Sequence, residues 1–406
     1  MLRKYIHKIL KKQHYWRTMN FDELSEVYVN MLLRGISIGM AGIFVPIYLV
    51  KLDFTVTQIL MVYAFYFSAR VGLDFVAAHS VARYGPKHTL IVGQVFQALS
   101  TLLFLTLPQF HWPVWLLGMI WGCAASFFFI AFDVDFSKIK HKKHGGKELG
   151  YEQIMEKIGA VIGPLLGGLV ATVFGAQYIF LISLILMFAG GWFLLRTKEP
   201  TRLRQTLSYR DFPVHTIFRS NILPAIGLNL ENTLCIVLWP LYLGLFVVTD
   251  GSVFAKVGIL ASVSVAMSLI GTYAIGSLID KRYGRKLLRA GASGNAVLHF
   301  VRPFISTYPV AMGASLINEV ITVGYRMPFV KGFYDTADDF PGHRIVYISI
   351  VQGMSSFAKA TMWWLLVIVS GGIGAHTTLT TGFIVAGLAS LLIMTEKFKA
   401  LDANIR

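Results

Sequence analysis

Apolar stretches of about 20 residues recur along the whole length of the chain, and only short polar segments separate them. A helix of about 20 apolar residues is what crossing a lipid bilayer requires. The stretches therefore predict an all-α membrane protein with twelve transmembrane helices, of which the ninth is the least apolar because His299 and Arg302 interrupt it. The predicted segments lie near 25–50, 57–79, 88–108, 112–133, 152–174, 177–196, 221–248, 254–279, 290–306, 308–328, 345–371 and 375–395.

The composition and the placement of charge support this topology. Only 14% of the 406 residues are charged, whereas soluble domains carry about 25%. The net charge of +16 could suggest a nucleic-acid partner, but 30 of the 37 Lys and Arg residues fall in alternate loops and at the two termini. Such a bias marks the cytoplasmic side of a membrane protein. It predicts a multi-pass protein of the plasma (cytoplasmic) membrane with both termini inside and no nucleic-acid partner.

The order of the segments divides the chain into two similar parts. We predict a six-helix bundle at 21–196, a cytoplasmic linker at 197–220, a second six-helix bundle at 221–396 and a cytoplasmic tail at 397–406. Residues 1–20 are basic, and their apolar residues share one helical face. This pattern is typical of an amphipathic helix on an anionic lipid surface, and a disordered basic tail is the alternative.

Two loops share the pattern Arg-Tyr-Gly-x-Lys, and their glycines, Gly85 and Gly284, are 199 residues apart. Parallel duplication of a six-helix unit places equivalent loops on the same side of the membrane. Because the spacing is close to half of the chain, the pair indicates an internal repeat. The two loops read Arg83-Tyr84-Gly85-Pro86-Lys87 and Arg282-Tyr283-Gly284-Arg285-Lys286.

These loops resemble a motif of the major facilitator superfamily, roughly G-x-x-x-D-R-x-G-R-R, found after helices 2 and 8. The segment 276–286, with Asp280 at the acidic position, is similar to it apart from one extra residue. In the first half Ala82 replaces the acidic residue and Pro86 the second basic one. A second family motif, G-x-x-x-G-P-x-x-G-G, is complete in the fifth segment. Its residues are Gly159, Gly163, Pro164, Gly167 and Gly168.

The resemblance implies two pseudo-symmetric six-helix bundles that move a small-molecule substrate by alternating access, in a monomer surrounded by membrane lipids. In the family the fifth-helix motif is associated with antiporters, which favours export. The family's drug–proton antiporters carry an Arg four residues before a Gly in helix 4. Here Gly118 stands at that position before Gly122, which weakens a drug-export assignment.

Charged residues within the apolar segments are the candidates for function, because a charge near the bilayer centre costs about 2.5–3.5 kcal/mol. In the resembled fold, helices 1, 4, 7 and 10 line the central cavity. We expect Arg34 and Lys359 to meet anionic groups of a substrate, and Glu231 or Glu319 to carry a coupling proton. The alternative is two structural ion pairs, Arg34–Glu231 and Glu319–Lys359. The candidate set is Arg34, Asn229, Glu231, Asn232, Glu319 and Lys359.

A second set of residues is predicted to gate or to stabilise the protein. Arg70 and Asp74 are spaced i,i+4 on one helix and can pair directly. His299 is a further candidate, as a proton relay. The gating and structural set is Arg70, Asp74, Arg83, Gly85, Lys87, Asp133, Asp280, Arg282, Gly284 and Arg285.

Sequence motifs do not indicate another function class. The chain has no G-x-x-x-x-G-K-[ST] or H-E-x-x-H stretch, and its two cysteines, Cys123 and Cys235, cannot build a metal cluster. One G-x-S-x-G stretch, residues 35–39, lies inside the first apolar segment, whereas the hydrolase motif requires a strand-to-helix turn. We therefore expect no enzyme, cofactor or metal centre. The leading hypothesis is proton-coupled secondary transport of a small organic solute, with export favoured. The alternatives are a non-transporting binding or regulatory membrane protein on the same fold and an importer of an anionic or amphipathic solute.

Overall fold

The computed structural model describes residues 21–139, 145–196, 206–213, 215, 221–278, 283–340, 342–398 and 401. The basic segment predicted at 1–20 and most of the linker predicted at 197–220 lie outside them. Twelve long helices fall within the described residues. They are α1 (Phe21–Gly42), α2 (Val56–Tyr84), α3 (Pro86–Leu105), α4 (Val114–Ile139), α5 (Gly145–Val173), α6 (Gln177–Arg196), α7 (Ile222–Tyr242), α8 (Val253–Leu278), α9 (Gly284–Val301), α10 (Tyr308–Asp338), α11 (Arg344–Ser370) and α12 (Ala375–Ile393).

Two helices are prolonged by irregular turns. A short helix, Val45–Lys51, continues α1 after a break. At the end of α7, Leu243–Val247 form a π-helical turn that directly follows Tyr242. A 3-10 turn, Arg302–Phe304, ends α9 and carries an arginine of the site described below.

The predicted segments match the helices closely except at one end of the bundle, where α2, α4, α5, α9 and α10 are longer than predicted. This is the end that the charge pattern predicts to be cytoplasmic, and we call it the predicted inner end. The tenth helix continues to Asp338 instead of residue 328, although Pro328 lies inside it. Phe329, Phe333 and Tyr334 are buried there. Packing against neighbouring helices therefore extends the helix beyond its apolar run.

Seven stretches within the described residues are long and apolar enough to cross a membrane. They correspond to α1 with its continuation, α2, α3, α4, α7, α8 and α12. Two more apolar stretches, 157–173 and 177–192, are shorter. Helices α9, α10 and α11 lie outside this group, and each of them carries polar residues of the candidate site described below.

Helices α1–α6 and α7–α12 form two halves that pack together through α2 against α11 and α5 against α8. Two hydrophobic clusters each contain residues of both halves. One surrounds Tyr63 and Trp363, towards the predicted outer end. The other surrounds Val81 and Tyr347, towards the predicted inner end. The halves are therefore in contact at both ends of the bundle.

The glycine motif of α5 allows close approach of two other helices. A Cβ atom on Gly163 would lie 2.6 Å from the carbonyl oxygen of Ile36 in α1, and one on Gly168 would lie 2.6 Å from the carbonyl oxygen of Phe254 in α8. Gly159 and Gly167 also face α1, and α5 runs continuously through Pro164. Small residues permit such contacts between membrane helices. The motif thus packs α5 within its own half and against the other half.

Two glycines of α4 pack in the same way against α2. A Cβ atom on Gly118 would clash with the carbonyl oxygen of Val62, and one on Gly122 would clash with that of Tyr66. The backbones are too close for any side chain at position 118. An arginine at this position would have to separate α2 from α4.

Candidate functional site

A buried carboxylate in the second half lies at the centre of a polar cluster. Glu231 on α7 is 3% exposed. Its Oε1 is 3.0 Å from Nε2 of His299 on α9, and its Oε2 accepts a hydrogen bond of 2.8 Å from the hydroxyl of Tyr325 on α10. Both oxygens of the carboxylate therefore have hydrogen-bond partners on neighbouring helices.

A guanidinium group covers the other side of the histidine. Nη1 of Arg302 is 3.0 Å from Nδ1 of His299 and 3.0 Å from Sγ of Cys235. The same guanidinium lies 5.0 Å from the ring centre of Trp239, within cation–π range. Arg302 is 2% exposed and His299 is fully buried. Because Glu231 and Arg302 carry opposite charges and share His299, the cluster holds a charge pair bridged by an imidazole.

Neutral polar side chains complete the cluster. Nδ2 of Asn295 donates to the Tyr325 hydroxyl at 3.2 Å and to Oγ of Ser390 on α12 at 3.3 Å. Sequence reasoning did not identify Tyr325, Asn295 or Ser390. One available signal was the spacing of Asn295, His299 and Arg302, which places three polar residues on one side of α9 and of the turn that ends it.

The donor atoms of Glu231, Cys235 and His299 lie within 4.8 Å of one another, a spacing that a metal ion could bridge. However, Arg302 places a permanent positive charge against both Cys235 and His299. Its charge repels a second cation at this position. The arrangement is a hydrogen-bonded cluster around a guanidinium group and does not suit a metal ion.

A second polar group joins α2 to α11 and α7, across the boundary between the halves. Arg70 and Asp74 form the predicted pair, with Nε 3.5 Å from Oδ1, and Ser356 on α11 donates to Oδ2 of Asp74 at 2.6 Å. Lys359 on α11 donates to Oδ1 of Asn229 on α7 at 3.1 Å. All of these charged side chains are at least 95% buried. The pair Arg70–Asp74 therefore belongs to the inter-half contact.

A third contact between the halves lies nearer the predicted inner end. Oδ1 of Asp133 on α4 accepts a hydrogen bond of 2.9 Å from the Tyr334 hydroxyl, and Oδ2 accepts one of 2.7 Å from Nε2 of Gln352. Tyr334 and Gln352 belong to α10 and α11. Asp133, predicted as a gating residue, thus connects the first half to two helices of the second half, and we call this group the Asp133 contact.

The remaining predicted substrate or proton residues lie apart from the Glu231 cluster. Arg34 is half-buried, with its guanidinium carbon 3.0 Å from the ring centre of Phe128 on α4. Glu319 is half-buried and makes no hydrogen bond or ion pair within the described part of the chain. The positive charges of Arg326 and Lys157 attract its carboxylate from a longer distance. Asn232 is also half-buried.

The two ion pairs considered as alternatives, Arg34–Glu231 and Glu319–Lys359, are not formed between these described side chains. Glu231 is instead bonded to His299, and Lys359 to Asn229.

The two repeated loops differ in structure. In the first, Gly85 has φ = +90° and alone connects α2 to α3, a backbone angle that glycine adopts without strain. Arg83 is exposed and lies over the Tyr84 ring, whereas Lys87 is buried.

In the second loop, Gly284 begins α9 and Arg285 pairs with Glu396 at 2.8 Å and donates to the Phe398 carbonyl at 2.9 Å. Asp280 and Arg282 lie outside the described residues. The second loop is therefore bound to the chain that follows α12.

At the predicted outer end, a cavity of about 240 Å³ lies between the α1 continuation and the turn from α7 to α8. Beside it, Lys256 and Asp250 form an ion pair of 2.6 Å. Hydrogen bonds from Lys256 and Ser252 lower the pKa of Asp250 to about 2. This carboxyl consequently stays ionised near neutral pH and does not change its charge there.

The apolar helices, the two halves and the buried charges together define a multi-pass α-helical membrane protein of the transporter type. A profile of the Major Facilitator Superfamily matches residues 27–360 of the sequence. The chain therefore belongs to the Major Facilitator Superfamily, as the two motifs indicated.

Individual relatives are distant. Over 182 residues, which are 44% of this chain and 46% of the relative, the sequence is 25% identical to Multidrug resistance protein 1 of Bacillus subtilis (strain 168); the match spans about half the length of that protein. The structure is similar to that of a D-xylose–proton symporter, with a TM-score of 0.70, 14% identity and coverage of 93% of this chain and 97% of the other. It is also similar to a variant of the E. coli fucose:proton symporter, with a TM-score of 0.62, 16% identity and coverage of 91% and 96%. These two likenesses establish the fold.

Proposed function

We propose that this chain is a proton-coupled secondary transporter that exports a small organic solute by alternating access between its two halves. The observation that carries the proposal is Glu231, a carboxylate 3% exposed and bonded to side chains of two other helices. An ionisable group held inside a membrane bundle is expensive and is typical of a proton or substrate pathway. Of the two carboxylates predicted to carry the proton, Glu231 has the built environment, and Glu319 does not.

The contacts between the halves support alternating access. The Asp133 contact lies near the predicted inner end, and a hydrogen bond of 2.9 Å between Ser370 and Thr57 joins α11 to α2 at the opposite end. In a transporter that rocks between two states, each of these contacts would break in one state and be restored in the other. For this cycle we infer twelve crossings, with both termini on the cytoplasmic side of the plasma membrane.

Two observations favour export over import. The fifth-helix motif, which the family's antiporters carry, is complete, and its Gly168 contacts the other half. A multidrug resistance protein is also among the relatives. The two structural neighbours are symporters, and they make proton-driven import the competing direction. Arg34 and Lys359 remain the proposed contacts for an anionic or amphipathic solute.

The test uses the purified protein in liposomes that contain a trapped pH-sensitive dye. Ethidium, benzoate, D-xylose and L-fucose are added outside in turn, with no imposed pH gradient. For an antiporter, a solute moving inward drives protons outward and the lumen becomes alkaline; for a symporter it becomes acidic. We expect alkalinisation with at least one solute.

The matched control compares the two carboxylates. Glu231→Gln is expected to abolish the solute-driven pH change, and Glu319→Gln is expected to retain it. A pH change of normal size in Glu231→Gln would refute the coupling role of Glu231. If no solute in a broader panel of cations, anions and sugars moves protons, the non-transporting alternative is favoured instead.

A further inference from the structure

The hydrogen bonds of the Glu231 cluster determine where its protons lie. Arginine is a donor only and is not deprotonated in proteins. Since Nη1 of Arg302 is 3.0 Å from Nδ1 of His299, that ring nitrogen must present a lone pair. The single proton of a neutral imidazole then lies on Nε2, and it is donated to Oε1 of Glu231 at 3.0 Å. Arg302 thereby fixes one tautomer of His299.

The same geometry excludes a charged histidine in this arrangement. An imidazolium ion carries a proton on each nitrogen, and a proton on Nδ1 would point directly at the Arg302 guanidinium. Because His299 is fully buried and Arg302 is 2% exposed, solvent cannot screen that repulsion. A neutral His299 also cannot accept a proton from Glu231 at Nε2, because Nε2 already carries one.

The other oxygen of Glu231 has a partner that can reverse its hydrogen bond. The Tyr325 hydroxyl donates to Oε2 at 2.8 Å, and it has a second acceptor, Oγ1 of Thr322, at 3.5 Å. A hydroxyl group both donates and accepts. If Oε2 becomes protonated, it can donate to the Tyr325 oxygen while the Tyr325 proton turns towards Thr322. Asn295, which donates to the Tyr325 oxygen at 3.2 Å, has the same role in both arrangements.

We propose that the coupling proton binds Glu231 on Oε2, the side of Tyr325, and that His299 remains a neutral hydrogen-bond donor held in its Nε2–H form by Arg302. This inference rests on the proposed function and specifies the atom, Oε2 of Glu231, that binds the coupling proton. In the step, a proton from water forms an O–H bond to Oε2 and the carboxylate becomes a neutral acid; release reverses the step. Arg302, His299 and Tyr325 are positioning residues, and Glu231 alone changes charge.

Other charged groups near Glu231 are few. The positive charge of Arg302 is separated from Glu231 by His299. The carboxylate of Glu319 on α10 repels that of Glu231 at longer range. Cys235 lies one turn further along α7 and accepts from Arg302. On the α11 side, Lys359 is bonded to Asn229, two residues before Glu231. The carboxylate is therefore held by His299 and Tyr325, with the amide group of Asn295 beside them.

The first test is infrared difference spectroscopy of the full chain in liposomes, with no solute present, between acidic and neutral pH. The expected signal is a C=O band of a protonated carboxylic acid. It should vanish in Glu231→Gln, shift in Tyr325→Phe and persist in His299→Gln and in Glu319→Gln. Loss of the band in His299→Gln, or its persistence in Glu231→Gln, would overturn the proposal.

The second test reads the histidine directly. In protein labelled with ¹⁵N-histidine, the signal of His299 among the 11 histidines is the one missing from His299→Gln. It should report the neutral Nε2–H tautomer throughout the pH range in which the carboxyl band appears. Arg302→Lys, which keeps a donor, should preserve this tautomer, whereas Arg302→Gln, whose amide can also accept, should give a mixture. An imidazolium signal from His299 in the unsubstituted protein would overturn the proposal.

A failure of the proposed transport function can be distinguished from a failure of the proton assignment, because neither the infrared nor the ¹⁵N measurement needs a transported solute. If the carboxyl band and the tautomer are found but no solute moves protons, the transport function is wrong and the proton assignment stands. If solutes drive proton movement but His299 becomes charged, the transport function stands and the assignment is wrong.

Discussion

The Asp133 contact should hold the predicted inner end closed, and removing one of its bonds should open that end. In Tyr334→Phe, Asp133 loses a hydrogen bond of 2.9 Å that crosses from one half to the other. A hydrogen bond to a charged group contributes about 1.5–3 kcal/mol. Because the bond exists only while the halves are in contact, its loss should shift the closed-to-open equilibrium by about 10-fold to about 100-fold, at about 1.4 kcal/mol per tenfold.

The shift can be measured as a distance between the two halves. Spin labels at Tyr84→Cys on α2 and Lys331→Cys on α10, both exposed positions, report the separation at the predicted inner end by pulsed electron paramagnetic resonance. The background carries Cys123→Ser and Cys235→Ser, which remove the two native cysteines. The ratio of the longer to the shorter distance should rise in Tyr334→Phe by the same factor as the equilibrium constant.

A second buried tyrosine provides the matched control. Tyr347 belongs to the same hydrophobic cluster, but the side chains beside its hydroxyl, Asn221 and Thr336, belong to the same half as Tyr347, so that its hydroxyl does not bind across the two halves. Tyr347→Phe should leave the distance distribution unchanged. In an Asp133→Asn background, Tyr334→Phe should have a much smaller effect, because the charged acceptor is gone. The reasoning is refuted if Tyr334→Phe changes the ratio of the two distances by less than twofold, or if Tyr347→Phe changes it equally.

Three further predictions concern packing and stability. Gly168→Val should prevent the close contact of α5 with α8 and reduce solute-driven proton movement at least tenfold, whereas Gly72→Ala, which meets nothing within 4 Å, should be silent in the same assay. Overpacking typically costs about 1–3 kcal/mol, and Gly118→Arg should destabilise the protein by more than this because its side chain meets the α2 backbone. A Tm in detergent equal to that of the parent would contradict this. Arg285→Ala should cost about 1–3 kcal/mol by leaving the carboxylate of Glu396, 2% exposed, without its charged partner, whereas Arg285→Lys should recover part of the loss in Tm.

The sequence was informative about helices because apolar runs are a local property. All twelve predicted segments correspond to helices within the described residues, including the ninth, in which His299 and Arg302 stood out as interruptions. The helix ends were less accurate at the predicted inner end. There α10 continues to Asp338 because aromatic residues pack against other helices, and such packing depends on partners that are distant in sequence.

The candidate site was only partly predictable for the same reason. Glu231 was identified because a carboxylate in an apolar segment is costly wherever it packs. Its partners could not be identified, since Tyr325 and Asn295 are neutral and carry little signal in a helix. Asp133 was predicted to belong to a gating network, but its partners Tyr334 and Gln352 lie about 200 residues away along the chain. Only the packing of α4 against the second half brings them together.

The π-helical turn Leu243–Val247 at the end of α7 has a geometric consequence for the loop that follows. Such a turn accommodates one residue more than an α-helix would over the same length. An α-helix advances about 100° per residue, so everything after the turn is rotated by about that angle relative to an uninterrupted helix. The chain from Val248 to Asp250 leaves this turn beside the α1 continuation and lines the cavity with it. One additional residue in the last turn of α7 therefore changes the direction in which this loop leaves the helix.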